Sequence, residues 1–77
     1  MNILVNLPSG FFSHPAMQSI WRELESLGTV TRSSCNTADE IAPLLENIEA
    51  ILMWSWPVLT SELLDKAPHL RFVGHID

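Results

Sequence analysis

Residues 50–74 read AILMWSWPVLTSELLDKAPHLRFVG and contain a complete strand–helix–strand pattern. The uninterrupted apolar run 50–54 predicts a strand that is buried on both faces. A helix is expected to begin after Thr60 or Ser61, because either hydroxyl can cap the first helical turn. Residues 71–74, RFVG, are predicted to begin the next strand. Two strands joined by a helix indicate a parallel pair, so this stretch predicts the α/β class.

The preceding residues repeat this alternation of strand and helix. The apolar run 3–7 predicts a first buried strand. Residues 15–27 carry their apolar side chains on one face and predict a helix capped by Ser13 or His14, and the glycine that follows is expected to end it. β-branched residues at alternating positions in 29–33 predict a second strand.

The second helix pattern contains a proline. Thr37 and Glu40 form a capping box, which predicts a helix start at this point. Pro43 would break the hydrogen-bonding ladder of a long helix, so the helix is expected to be short or kinked, or to start later. The complete element order is then β-α-β-α-β-α-β, which predicts an open parallel sheet in a three-layer α/β fold.

Composition excludes several functional classes. The chain has 77 residues, of which 47% are apolar and 17% are charged, so it holds one small domain at most and is not disordered. Four basic residues against nine acidic ones argue against binding to nucleic acid or to an anionic membrane. The single cysteine, Cys35, excludes an internal disulfide and a cysteine-based metal site, and it favours a reducing, cytoplasmic setting.

The chain is unusually apolar for its size. Its mean hydropathy is +0.18, although small independent domains need many polar residues to cover their surface. We therefore expect it either to bury surface against a partner or to be a piece of a larger protein. No apolar run is long enough to span a bilayer.

Four loops are candidates for a functional site. Ligands of open parallel sheets bind outside the carboxyl ends of the strands, where the strand order reverses. The predicted strands place four segments at that edge, namely residues 8–14, 34–36, 55–59 and 75–77. The three glycines supply neither a dinucleotide fingerprint nor a phosphate loop, and no two histidines have metal-ligand spacing. The sequence accordingly predicts no catalytic residue and no metal site.

Individual residues in these segments also have structural explanations. Trp21 belongs to a helical stripe and is expected in the core. Cys35 has no basic neighbour in sequence to lower its pKa and is expected to be inert. His75 is of greater interest because it lies at the carboxyl end of a predicted strand.

The pattern of residues 50–74 resembles the N-terminal region of the D-isomer-specific 2-hydroxyacid dehydrogenases, a family that includes phosphoglycerate dehydrogenase and glyoxylate/hydroxypyruvate reductase. That region has an apolar strand, a serine-containing loop, a helix that starts at a threonine, and a strand that ends in valine and glycine. The matching positions are Thr60, Leu63, Leu64, Ala67, Pro68, Leu70, Val73 and Gly74.

The resemblance implies that residues 1–77 are one partial substrate-binding domain with an incomplete flavodoxin-like fold. A Rossmann domain outside this chain would bind NAD or NADP, and the parent protein would interconvert a 2-keto acid and a D-2-hydroxy acid by hydride transfer. The chain would end inside the loop that offers backbone amides to the substrate carboxylate, and Asp77 stands there where many members have a small residue. The substrate-binding residues that the resemblance implies are Trp54, Ser55, Trp56, Gly74, His75 and Ile76.

The resemblance places no cofactor-binding or catalytic residue in this chain, so the chain alone is expected to be inactive. Its expected partners are the rest of the parent chain or a second copy in a dimer. Two other functions remain open. One is a non-catalytic α/β module that binds a partner or itself, and the other is a small-molecule binding domain that uses the loops at Ser55 and Gly74.

Overall fold

Four parallel strands form one open sheet in the computed structural model, which describes residues 1–76. The strands are β1 (Asn2–Asn6), β2 (Thr29–Ser33), β3 (Ala50–Met53) and β4 (Phe72–His75). Their order in the sheet is β2-β1-β3-β4, and every neighbouring pair is parallel. This is the order of the first four strands of a flavodoxin-like sheet. The predicted α/β fold with an open parallel sheet is confirmed.

Three helices connect the strands. They are α1 (Met17–Leu27), α2 (Ala38–Ile41) and α3 (Ser61–Asp65), and two single 3₁₀ turns lie at Ser9–Phe11 and Ala42–Leu44. The element order along the chain is the predicted one. The second strand has the predicted bounds, and the predicted bounds of the other strands differ from the observed ones by one residue.

The helices lie on both faces of the sheet, which confirms the three layers. On one face, α1 packs Met17 and Trp21 against the odd-numbered residues of β1. On the other face, a second apolar cluster joins the sheet to α2, α3 and their flanking turns. Its buried members are Leu4, Ile41, Leu45, Ile48, Ile51, Met53, Leu63 and Ala67.

The start of α1 differs from the prediction. Its cap position is Ala16, which has no side chain able to cap, so the predicted cap by Ser13 or His14 is wrong. Backbone hydrogen bonds close a turn before the helix, and the imidazole Nδ1 of His14 accepts from the Ala16 N–H at 3.1 Å. Because this turn leads directly into the helix, the chain is already helical at Ala16. Gly28 ends α1 as predicted, and the carbonyl of Met1 lies so close to its α-carbon that a side chain would clash.

The two predicted hydroxyl caps are confirmed. Thr37 accepts a hydrogen bond from the Glu40 N–H, and the Glu40 carboxylate returns to the Thr37 hydroxyl. Thr60, rather than Ser61, caps α3 by accepting from the Leu63 N–H at 3.3 Å. Pro43 falls in the first turn of the 3₁₀ segment that follows α2, where its missing N–H removes no helical hydrogen bond. The predicted short second helix is therefore confirmed.

Trp21 is only 5% exposed, as predicted for a core residue. Its indole N–H donates to the Phe12 carbonyl at 3.3 Å, and the two rings lie 5.8 Å apart. The guanidinium carbon of Arg32 on β2 lies 4.4 Å from the centre of the Trp21 ring. Arg32 also forms an ion pair at 3.5 Å with Glu25 on α1. These contacts hold α1 against the edge strand β2.

Candidate functional site

The strand order reverses between β1 and β3, which lie side by side in the middle of the sheet. The chain leaves β1 for β2 on one side and later returns to β3 on the other side. Asn6 and Met53 are register partners at the carboxyl ends of these two strands. Parallel sheets bind ligands in the crevice that forms at this point, so the carboxyl edge around Asn6 is the candidate site.

Asn6 is completely buried and is the one buried polar side chain in the described residues. Its Oδ1 accepts from the Ser33 hydroxyl at 2.8 Å and from the Cys35 N–H at 2.7 Å. Its Nδ2 donates to the Cys35 carbonyl at 3.1 Å and to the Trp56 carbonyl at 3.3 Å. The amide thus uses both donors and both acceptor positions, which is the full capacity of an asparagine side chain.

These four hydrogen bonds join three strand ends. Ser33 ends β2, Cys35 lies in the loop after it, and Trp56 lies in the loop after β3. We call Asn6 with Ser33, Cys35 and Trp56 the Asn6 junction. Because its interactions are buried and fully paired, the junction holds these loops in one arrangement. The sequence analysis missed Asn6, although the signal was present as a lone amide in an otherwise apolar strand.

The loop after β3 contains three of the predicted substrate-binding residues, and they differ in exposure. Trp54 is partly buried and packs against the apolar cluster under α1. Ser55 is exposed, and Trp56 is 56% exposed while its carbonyl is bound to Asn6. The peptide bond between Trp56 and Pro57 is cis. Ser55 and the Trp56 ring are therefore accessible to a ligand at the carboxyl edge.

The other three predicted residues lie at the end of the chain. Gly74 and His75 are inside β4, and Ile76 follows the strand. The Ile76 N–H donates to the Met53 carbonyl at 2.8 Å, and its side chain packs in the same cluster as Trp54. The structure thus brings Ile76 and Trp54 together. Asp77, which was expected in this loop, lies outside the described residues.

Gly74 has a different environment from Ile76. A β-carbon added at Gly74 would lie 3.1 Å from a methyl group of Leu52. This contact is on the face of the sheet that α1 covers only in part. Gly74 lines an apolar groove of about 360 Å³ there, beside α1. The members of this groove are Met1, Ile3, Leu24, Leu27, Ala50, Ile51, Leu52, Phe72 and Gly74.

A small apolar pocket lies next to Ile76. Its volume is about 230 Å³, and it lies between the start of α1 and the residue that follows β4. Its lining residues are Phe11, His14, Ala16, Met17, Ile20 and Ile76. The segment 8–14, which the sequence analysis placed at the carboxyl edge, contributes Phe11 and His14. An apolar group of a small ligand fits this pocket better than a charged group does, because the pocket offers few polar atoms.

Cys35 lies in the Asn6 junction, but its thiol is held in the neutral form. Partial burial raises the pKa of Cys35, and the negative charge of Glu40 raises it further. A hydrogen bond with the Ser33 side chain opposes part of this change. Because the thiolate is the reactive form of cysteine, the environment disfavours a nucleophilic role for Cys35.

Another pocket lies at the opposite, amino edge of the sheet. Its volume is about 440 Å³, and polar residues from β1 and from the turns before β3 and β4 line it. They are Asn2, Asn47, Glu49, His69 and Arg71. The amino edge is not where open parallel sheets bind their ligands.

The described residues contain no group of three or more histidine, cysteine, aspartate or glutamate side chains that could hold a metal ion. The same residues include no helix of the length and apolarity required to cross a membrane. The chain's glycines, Gly10, Gly28 and Gly74, lie far apart in sequence. They therefore do not form the glycine-rich turn that holds a dinucleotide.

Comparison of the chain with protein-family models, curated proteins and solved structures finds no match in any of the three. The resemblance of residues 50–74 to the 2-hydroxyacid dehydrogenases therefore stays a prediction.

Proposed function

We propose that this chain forms the N-terminal part of the substrate-binding domain of an NAD(P)-dependent D-2-hydroxyacid dehydrogenase. The parent protein would interconvert a 2-keto acid and a D-2-hydroxy acid, and the carboxyl edge of the sheet would be one wall of the substrate cleft. The observation that carries this proposal is the Asn6 junction. It fixes the loop that contains Trp54, Ser55 and Trp56 at the point where such sheets bind ligands.

The position of the matched motif supports the same proposal. The residues that resemble the dehydrogenases span β3, the serine-containing loop, the threonine-capped helix α3 and β4. Each part of the motif lies on the element that the family pattern assigns to it. Agreement between a motif and its structural context is stronger support than the motif alone.

The residues at this edge suit a small, partly apolar acid. The exposed Ser55 hydroxyl is a hydrogen-bond donor of the kind that a carboxylate or keto oxygen accepts. The pocket beside Ile76 is suited to an apolar substrate side chain. The Trp56 ring is 56% exposed in the same loop and is therefore available to contact a bound ligand.

The cofactor would be bound elsewhere in the parent protein. The glycines of this chain do not fit a dinucleotide, so the residues described here would hold the substrate and would not hold the nicotinamide. We expect the 77-residue chain alone to have no dehydrogenase activity.

The test is the activity of the protein encoded by the complete reading frame that contains residues 1–77. We expect a glycine-rich dinucleotide fingerprint after Asp77, and NADH or NADPH oxidation when glyoxylate, pyruvate or hydroxypyruvate is added. We expect Ser55→Ala to raise KM about tenfold, the effect of losing one hydrogen bond to a charged group. Ser61→Ala is the matched control, because Ser61 is an exposed serine at the start of α3.

Two results would contradict the proposal. One is a reading frame that encodes no such fingerprint. The other is a purified protein that oxidises neither coenzyme with any of the three 2-keto acids.

The second candidate function is a non-catalytic α/β module that binds another chain. The exposure of two large apolar side chains on the edge strand β4 favours this candidate. Phe72 is 56% exposed and Val73 is 46% exposed, although both lie within a regular strand. An exposed apolar edge of this kind is a surface for strand pairing.

A further inference from the structure

The pocket at the amino edge of the sheet lies between segments that hydrogen bonds tie together. We call the space of about 440 Å³ between Asn2, Asn47, Glu49, His69 and Arg71 the amino-edge pocket. The Glu49 N–H donates to the Asn2 carbonyl at 2.9 Å, and the Glu49 carbonyl accepts from the Arg71 N–H at 2.7 Å. The Asn2 side-chain amide donates to the Asn47 carbonyl at 3.1 Å. These hydrogen bonds join the start of β1 to the turns before β3 and β4, so the walls of the pocket are held together.

The carboxylate of Glu49 is positioned by the backbone of β1. Glu49 is partly buried, and its Oε1 accepts from the Asn2 N–H at 3.2 Å. Within residues 1–76 no group donates to the second carboxylate oxygen, Oε2. Because Glu49 lines the amino-edge pocket, this oxygen is available to a ligand there. An ammonium group suits it best, since a hydrogen bond between two charged groups is stronger than one between neutral groups.

Arg71 and His69 supply hydrogen-bond donors to the same pocket. Both side chains are exposed, and both residues precede β4. Among the described residues the only ion pair joins Arg32 to Glu25, so Arg71 is not paired with Glu49. A guanidinium presents two parallel N–H groups to a carboxylate, and an imidazole N–H adds a further donor. The amino-edge pocket therefore contains a positive and a negative group that are not bonded to each other.

These two charges select the class of ligand. A simple anion would meet Glu49 as well as Arg71, and the net charge of −5 on the chain opposes its binding further. A simple cation would meet the charge of Arg71. A small molecule with one charge of each sign satisfies both groups, and the α-amino acids are molecules of this kind.

We propose that the amino-edge pocket binds a free α-amino acid, whose carboxylate contacts Arg71 and whose ammonium group contacts Glu49. The pocket lies at the opposite edge of the sheet from the Asn6 junction. It is therefore a second site, which can be occupied together with the carboxyl edge. This inference does not depend on the dehydrogenase proposal.

The test is a titration of the 77-residue chain with glycine at about pH 7, followed through the backbone amide signals in two-dimensional NMR spectra. We expect the amides of Asn2, Glu49 and Arg71 to shift. Half-saturation is expected at about 1–10 mM, the range for a very small ligand held by a few hydrogen bonds. Acetate and methylammonium each carry one of the two charges of glycine, and each should bind about tenfold more weakly or worse.

Two variants remove the charges of the pocket one at a time. We expect Arg71→Gln and Glu49→Gln each to weaken glycine binding about tenfold or more, because a hydrogen bond between charged groups is lost. Glu49→Gln keeps an oxygen that can accept from the Asn2 N–H, so the wall of the pocket is preserved. Arg22→Gln and Glu23→Gln are the matched controls, because both residues are exposed on α1. Circular dichroism checks that each variant is folded.

Three outcomes overturn the proposal. The first is a wild-type chain whose amide signals do not shift with glycine up to about 100 mM, or shift at Ser55 and Trp56 on the carboxyl edge instead. The second is acetate or methylammonium binding as tightly as glycine does. The third is glycine binding that Arg71→Gln and Glu49→Gln leave as tight as the two control variants do. The first two outcomes need no substitution, so they decide the matter even if a variant does not fold.

Discussion

The Asn6 junction and the outer side of Phe72–His75, which we call the β4 edge, belong to the same sheet but differ in how far their backbone groups are hydrogen-bonded. At the junction, the carbonyls of Cys35 and Trp56 and the N–H of Cys35 are all bound to one buried side chain. At the β4 edge, Val73 and His75 direct their backbone groups outward, beside apolar side chains that are about half exposed. Within residues 1–76 the backbone groups of the first region are paired, and no strand pairs with the outer side of the second.

The stability of the chain is expected to depend more on the junction than on the exposed side chains of the β4 edge. Changes at the junction should lower the free energy of unfolding, since they leave buried groups without partners. Changes at the exposed side chains of the β4 edge should leave the free energy of unfolding nearly unchanged.

The largest effect is expected for Asn6→Ala. This substitution leaves the partners of Asn6 in Ser33, Cys35 and Trp56 without hydrogen bonds, so we expect it to lower the free energy of unfolding by about 3–5 kcal/mol. Urea denaturation followed by tryptophan fluorescence measures the change. Asn2→Ala is the control, because Asn2 is an exposed asparagine in the same strand and is expected to cost about 1 kcal/mol or less. Equal losses for the two variants would show that the junction has no special role.

A smaller effect is expected for the helix that precedes β4. Thr60→Ala removes the cap of α3 and should cost about 1 kcal/mol in the free energy of unfolding. Ser61→Ala, at the next residue, should change it by less than about 0.5 kcal/mol. Thermal unfolding of both variants measures the difference. A larger loss for Ser61→Ala would contradict the assignment of Thr60 as the cap.

At the β4 edge, Phe72→Ser should change the free energy of unfolding by less than about 0.5 kcal/mol. The reason is that more than half of the Phe72 side chain is already in water. Chemical denaturation at a concentration where the chain is monomeric gives this value. A loss similar to that of Asn6→Ala would remove the distinction between the two regions.

The smallest expected effect concerns the thiol in the junction. Because burial and Glu40 raise the pKa of Cys35, its alkylation by iodoacetamide should reach half of its maximal rate above pH 9.0. The neutral thiol contributes stability that is present below the pKa of the unfolded chain and is lost as the pH rises through the higher folded pKa. Glu40→Gln should lower the midpoint of the alkylation profile, while Glu46→Gln should leave it unchanged. A midpoint below 9.0 in the wild-type chain would contradict this environment.

Much of the fold could be predicted from the sequence because local signals and the fold agree. Apolar runs at residues 3–7 and 50–54 predict buried strands, and the hydroxyls of Thr37 and Thr60 mark helix starts. The start of α1 was less predictable, because backbone turns before Ala16 take the place of a side-chain cap. The spacing of apolar residues in the sequence identifies the buried face of a helix, but it does not predict the conformation of the residues that precede the helix.

The candidate site was less predictable than the fold. The sequence placed Trp54 and Ile76 in different loops, and only the sheet topology brings them into one cluster. Asn6 has partners 27 to 50 residues away in sequence, so no local pattern identifies its role. The exposure of Phe72 and Val73 likewise depends on the position of β4 in the sheet, which follows from the order of all four strands in residues 1–76.

The most direct measurement is amide hydrogen exchange of the wild-type chain, followed residue by residue. The central claim is that the buried and fully paired amide of Asn6 fixes the Asn6 junction, whereas the outer backbone groups of the β4 edge pair with no strand within residues 1–76. We predict slow exchange of the Cys35 N–H and fast exchange of the Val73 and His75 N–H groups. Exchange of the Cys35 N–H as fast as that of Val73 and His75 would contradict the account.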